Sequence, residues 1–209
     1  ISLKLPAMII TLGTMTVYKS LSLVLSNATT IAGFPDKEHW FFTVVGGKIL
    51  GGNVHASVVI MLIVAVIGYV IYAHTRFGRH VCATGANRRA AQYAGLKVDR
   101  VRIASMALNG AIAAISGMGT LAFLAAADPS FGAGSEMMVI ASTIIGGASL
   151  AGGTGSVIGA IIGAILVSVI RNGLTLLGVS PYWQGTITGV TIIGAVALDY
   201  IIKRRRTQT

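Results

Sequence analysis

The sequence predicts an all-α, polytopic membrane protein with about six transmembrane helices, one of them short or re-entrant. Three observations carry that expectation. The chain is 54% hydrophobic and 11% charged, where a soluble domain has about 25% charged residues. Six apolar stretches reach or approach the length needed to cross a hydrocarbon core of about 30 Å. Of the 16 Lys and Arg residues, seven fall in 76–102 and four in the tail 203–206. Both segments flank apolar spans, as the positive-inside rule distributes charge, so both are expected to face the cytoplasm.

The elements follow in order. Span one covers 6–26, opened by Pro6 in a first-turn position. A connector over 27–53 contains NATTIAGFPDKEHW and the pairs Gly46-Gly47 and Gly51-Gly52. Span two covers 54–75 with His55 and His74 near its ends, and the basic segment 76–102 leads into span three at 103–126. After the turn DPSFGAGS comes an apolar element over 136–150, broken by AGGTGS at 151–156. Its fifteen residues cover only about 22 Å at ~1.5 Å each. It is therefore a short span or a re-entrant half-helix. Spans five and six cover 157–177 and 182–202. An even number of crossings between the two basic segments favours full crossing by the short element and puts 27–53, 127–135 and 178–181 outside.

Composition excludes several classes. Too few polar residues remain to cover a large soluble core. The net charge of +10 is concentrated at the span ends, so membrane lipid rather than nucleic acid is the expected partner of the basic tail. Cys82 is the single cysteine, which rules out an internal disulfide. The four His residues lack metal-ligand spacing, so no metal is expected. No GxxxxGK[ST] occurs, and GASLA at 147–151 lacks the last glycine of a nucleophile elbow. No catalytic residue is assigned, and the chain is not expected to be an enzyme.

Glycine is the next signal. Gly155, Gly159 and Gly163 form two overlapping GxxxG patterns and Gly185 with Gly189 a third, a stripe that lets helix backbones approach. The alternative is a sliding seam. IIGGASLAGGTGS, with Gly146, Gly147, Gly152 and Gly153, reads either as a tight helix–helix turn or as unwound backbone beside a translocation pathway, because such backbone is tolerated at membrane depth only when buried or lining a cavity. Asn109 and Glu136 join these glycines as pathway or packing candidates. Glu136 suits a helix N-terminus, and Arg171 is expected to snorkel outward.

The stretch ATGANRRAAQYAGLKV at 83–98 is polar and basic between apolar runs. Thr84 to Asn87 can form a turn and cap, and Arg88 to Ala94 two helical turns ended by Gly95. Ala90, Ala91 and Ala94 give it a small-residue side, with Tyr93 nearby. It reads equally as a helix fitted to a groove on another protein and as a solvated loop on headgroups.

A resemblance favours the first. RFGRHVCATGANRRAAQYAGLKV resembles the cytoplasmic loop of the permease subunits of bacterial ABC importers for monosaccharides, of the ribose and xylose type. The match falls on Arg76, Gly78, Arg79, Ala83, Gly85, Asn87, Ala90, Ala91 and Gly95, with Leu96 where Ile is commoner. IIGGASLAGGTGSVIGAIIGAIL and RNGLTLLGVSPYWQ are similar to the family's closing signature, and LPAMIITLGTMTVYKSL to a mid-chain span. The resemblance covers essentially the whole chain as the C-terminal two-thirds of a permease of about ten spans. It implies one transmembrane permease domain over 1–209, with N-terminal spans preceding Ile1 and a coupling-helix segment at 83–98.

The implied function is import of a monosaccharide or related polyol across the bacterial cytoplasmic (inner) membrane by alternating access. The implied partners are a second permease subunit, identical or paralogous, cytoplasmic ATP-binding subunits, and a periplasmic or extracellular sugar-binding protein. ATP and Mg²⁺ would belong to the ATPase, leaving no cofactor in this chain. Gly85, Asn87, Arg88, Ala90, Ala91, Ala94 and Gly95 would contact that ATPase. The alternative is a secondary carrier or channel for a small polar solute. One departure stands out: where family members often read GYELDAIA, this chain reads GSEMMVIA at 134–141, with Met138 in place of an acid.

Overall fold

The computed structural model describes residues 7–32, 40–49, 54–149 and 151–180, and beyond these 183, 185–187, 189–191 and 194. Span six therefore lies mostly outside the described residues, as do Asp199, Lys203 and the basic tail.

Helices dominate. α1 spans Ala7–Leu25, α2 Trp40–Val45, α3 Ala56–Tyr69, α4 Arg76–Ala86, α5 Arg88–Tyr93, α6 Val98–Leu124, α7 Ser135–Ile145 and α8 Val157–Leu176. A π-helical turn, Val70–His74, continues α3. The strands are two-residue pieces: β1 (Ile31–Ala32) pairs antiparallel with β4 (Ala126–Ala127), and β2 (Lys48–Ile49) with β3 (Val54–His55). Among the described residues, three helical stretches are long and apolar enough to cross a membrane: Ala56–His74, Val98–Leu124 and Val157–Leu176.

Several boundaries differ from the hydropathy reading. α6 starts at Val98, so Asp99, Arg100 and Arg102 occupy its first turns. Apolarity marks where a helix enters lipid, whereas the helix itself begins where the backbone can start its ladder. The connector 27–53 is not featureless: it supplies α2 and two strand pieces. α7 has 11 residues, about 16 Å at ~1.5 Å per residue, so as a helix it covers about half of a hydrocarbon core.

Burial is inverted relative to a soluble protein. The buried residues are small or β-branched, among them Ala91, Ala141, Ser142 and Val167, while Val66, Ile162 and Val169 are more than half exposed. In lipid, apolar side chains gain nothing by turning inward, so helices associate through small residues.

The described chain divides into two compact units. The first comprises Ile1–Ile60 and Ala114–Ala133, the second Met61–Ala113 and Gly134–Thr209. In the first, β1–β4 pairing is reinforced by the Thr30 hydroxyl donating to the Asp128 carboxylate. Asp128 also accepts from the Ser130 hydroxyl and, at 2.7 Å, from the Ser130 amide. A Cβ added to Gly46 would lie 2.4 Å from the Ala122 carbonyl oxygen, so the end of α2 meets α6 backbone to backbone. The second unit holds α4, α5 and an antiparallel hairpin of α7 and α8, and it contains the candidate site.

Candidate functional site

The site begins at the π turn. A π-helix inserts one residue per turn relative to an α-helix, and here it brings Tyr72 under α4. Thr75 caps α4, accepting from the Gly78 amide at 3.4 Å. A Cβ on Gly78 would sit 1.9 Å from the Tyr72 carbonyl oxygen, and the Cys82 thiol donates to Tyr72 Oη with S···O 3.2 Å. These contacts fold α4 back against the end of the apolar helix.

α4 continues through Thr84, Gly85 and Ala86, so the expected turn at 84–87 shrinks to Asn87 alone. Asn87 has extended backbone and its side chain accepts from the Ala90 amide at 3.0 Å. That is an N-cap, and it starts α5. At the other end the Gly95 amide donates to Gln92 O (3.0 Å) and the Leu96 amide to Ala91 O (3.1 Å), with Gly95 at φ +81°. This pair of bonds is a Schellman closure, which needs the left-handed residue that glycine supplies without strain. Six residues are thus held helical by capping rather than by length.

The faces of α5 are not those expected. Ala91 is 5% exposed, turned into the protein, while Arg88, Arg89, Ala90, Gln92 and Ala94 face outward. Tyr93 is 90% exposed and was not among the residues the sequence singled out for contact. An aromatic ring next to an alanine-rich surface is the signal that identifies it. Arg88 pairs with Asp99 of α6 at 3.3 Å, both side chains about half exposed, a weak link in water. Beside α5 an open groove of about 440 Å³ is lined by Thr84, Arg88, Arg102 and Ser105. The Thr84 hydroxyl is buried without a partner among the described residues.

The glycine-rich segment meets this region. α7 ends in a second Schellman closure, Gly147 to Ile144 O (2.8 Å) and Ala148 to Thr143 O (2.9 Å). The chain then turns tightly, with Gly152 donating to Ser149 O and Ser149 to Thr154 O, both at 3.0 Å. Ser156 caps α8 by accepting from the Gly159 amide at 3.2 Å. A Cβ on Gly85 would be 2.7 Å from the Gly153 nitrogen, and one on Gly152, at φ +88°, 2.8 Å from the Gly85 oxygen. A Cβ on Gly153 would be 2.8 Å from Ala86 Cα, and one on Gly155 3.5 Å from Tyr72 Oη.

Farther along, α7 and α8 touch through backbone. Added Cβ atoms would lie 2.2 Å from Gly159 O at Gly146, 2.0 Å from Gly146 O at Gly159 and 2.0 Å from Ser142 O at Gly163. Gly146, Gly159 and Gly163 therefore make close packing contacts within this hairpin. Glu136 is in the first turn of α7, exposed, at an N-terminus whose cap residue Gly134 offers no side chain; its charge suits that end. Arg171 does not simply reach outward: its Nη1 lies 3.4 Å from Met138 Sδ across the hairpin. A cavity of about 20 Å³ beside Ala141, Val167, Arg171 and Thr191 has room for a water. Asn109 is exposed on α6 with no side-chain hydrogen bond among the described residues. The structure thus brings together Gly85, Gly152 and Gly153, which the sequence had divided between two candidate groups. No group of metal-binding side chains occurs among the described residues.

A family model described as "Branched-chain amino acid transport system / permease component" matches residues 1–196. The chain belongs to this permease family. It is a multi-pass membrane protein. The permease is 38% identical over 94% of its length to the Ribose import permease protein RbsC of Bacillus subtilis (strain 168), covering 60% of that protein. It is 37% identical over 94% of its length to the D-allose transport system permease protein AlsC of Escherichia coli (strain K12), covering 59%. With the Xylose transport system permease protein XylH of Haemophilus influenzae it shares 39% identity over 71% of its length and 40% of the relative's. The chain thus spans at most about 60% of the length of these curated relatives. No solved structure gives a significant match.

Proposed function

We propose that this permease is the membrane subunit of an ATP-driven importer of a monosaccharide or related polyol, and that α5 is the helix on which cytoplasmic ATPase subunits dock. The single observation that carries the docking role is α5 itself. It is capped at both ends, anchored inward by Ala91, and presents Tyr93 and Ala94 outward. An exposed aromatic side chain is the kind of group that dominates protein interfaces. The basic segment around α5 and the C-terminal tail are placed on the cytoplasmic side by the positive-inside rule.

The mechanism is alternating access. Nucleotide binding on the partner can shift the permease between states only if the partner fits α5 differently in the two. A short helix fixed by caps transmits that difference better than a loop. ATP and Mg²⁺ reside on the ATPase, a sugar-binding protein delivers cargo from outside, and a second permease subunit completes the pathway. The monosaccharide class follows from the relatives named for ribose, allose and xylose.

The test uses the full-length permease expressed with its neighbouring ATP-binding subunit. Tyr93→Ala and Ala94→Glu should each reduce ATPase capture at least about tenfold, roughly 1.4 kcal/mol, while membrane insertion is unchanged. Ala91→Glu is unsuitable, since it buries a charge inside the permease itself. Capture unaffected by both variants would remove α5 from the interface. Uptake by the assembled system should be saturable with labelled ribose or xylose and blocked by vanadate. Uptake of leucine but no sugar would overturn the cargo class, and vanadate-insensitive uptake driven by an ion gradient would point to a carrier.

A further inference from the structure

We propose that the Gly152–Gly153 turn is the receiver for movement of α5, and that it passes this movement to the α7–α8 hairpin through direct backbone contact with Gly85 and Ala86. The inference rests on the reading of α5 as the docking helix. Ala86 precedes the cap of α5 by one residue, so a displacement of α5 is felt first at Gly85 and Ala86.

The opposing surface is backbone. Cβ positions on Gly85, Gly152 and Gly153 all fall within 2.8 Å of main-chain atoms across the contact. A side chain in such a place could absorb a shift of an ångström by changing rotamer, whereas two main chains in van der Waals contact move together. The turn itself is stiff, closed by the Ser149–Thr154 and Gly152–Ser149 hydrogen bonds. Behind it, Gly146, Gly159 and Gly163 press α7 and α8 backbone to backbone, so the hairpin responds as one body. Its remote part carries Arg171 against Met138, with Glu136 in the same first turn of α7. A push at Gly153 therefore reaches the charged end of the hairpin without any intervening flexible side chain.

The experiment reconstitutes the full-length permease with its ATPase and sugar-binding protein in proteoliposomes, reading ATP hydrolysis and labelled ribose uptake together. Gly152→Ala and Gly153→Ala should still capture the ATPase within about twofold of wild type. Their uptake per ATP should fall at least about tenfold, and stimulation of hydrolysis by the loaded binding protein should be lost. Gly117→Ala, at a position with nothing within 4 Å of its added Cβ, should behave as wild type. Unchanged uptake per ATP in both glycine variants would overturn the inference.

A second measurement keeps the wild-type sequence at the contact. Hydrogen exchange over 83–87 and 151–155 is followed in the full-length permease with its ATPase, with and without ATP. Protection changing in both segments together is expected. A change over 83–87 with none over 151–155 would show that the turn does not receive the movement and would overturn the proposal. Absence of ATPase capture by the wild-type permease would instead strike at the docking reading itself, so the two failures are distinguishable.

Discussion

α6 and α8 are both long apolar helices containing glycine, yet they use it in opposite ways. On α8, Gly159 and Gly163 admit carbonyl oxygens of the α7 region to positions where a Cβ would be 2.0 Å away. On α6, Gly110, Gly117 and Gly119 face nothing within 4 Å. Spacing alone does not separate the two, since Gly185 and Gly189 are also four apart and open. What separates them is a partner helix short and small enough to be drawn in. α7 supplies that with Ala141, Ser142 and Gly146 on the facing side, all buried or partly buried.

The contrast can be broken or sharpened by substitution. The largest effect is expected from Gly163→Leu, which forces the hairpin apart at a cost of about 3 kcal/mol or more. It should abolish recovery of monodisperse protein in detergent, while Gly173→Leu on the same helix, with open space around it, should be recovered normally. Next, Gly163→Ala should cost about 1–3 kcal/mol, whereas Gly117→Ala should gain about 0.5–1 kcal/mol from helix propensity. Thermal melting of the two proteins side by side would reveal opposite shifts.

A smaller effect is expected at the other end of the contact. Asn87→Ala removes the α5 cap, worth about 1 kcal/mol, and should raise hydrogen exchange over 88–95 without altering α8. The smallest concerns the first unit. Hydrogen bonds from the Ser130 hydroxyl, then Thr30, then the Ser130 amide hold the Asp128 carboxyl below its ordinary pKa. Its folded form therefore favours the ionised state. The stabilisation is present above the ordinary carboxylate value and is lost as pH falls through the lowered one. Melting temperature followed down from pH 6 should show a slight acid-dependent loss that Asp128→Asn removes; an equal loss in both proteins would rule Asp128 out.

Much of this was legible before any coordinates. Three of the expected spans, the Asn87 cap and the Gly95 terminator follow from hydropathy and local turn chemistry. The inward turn of Ala91 was not legible, because six residues make too short a helix for a periodic face, and tertiary seating decides which alanine is covered. Nor was the meeting of Gly85 with Gly152 and Gly153. Those positions are far apart in the chain, and a glycine carries no side chain whose chemistry could advertise its partner. The start of α6 at Val98 was missed because charged residues read as loop next to lipid, although Arg is among the better helix formers.

The π turn at Val70–His74 gives the permease an unusual sensitivity to length. A π turn holds one residue more than an α turn, and here that extra residue lets Tyr72 sit beneath α4. Loss of one residue from 70–74 would restore ordinary winding and withdraw Tyr72 from Gly78 and Cys82. Exchanging Ile71 or Ala73 for another apolar residue leaves the winding alone. Variation at 71 and 73 should therefore run more freely than at Tyr72, while the residue count stays fixed.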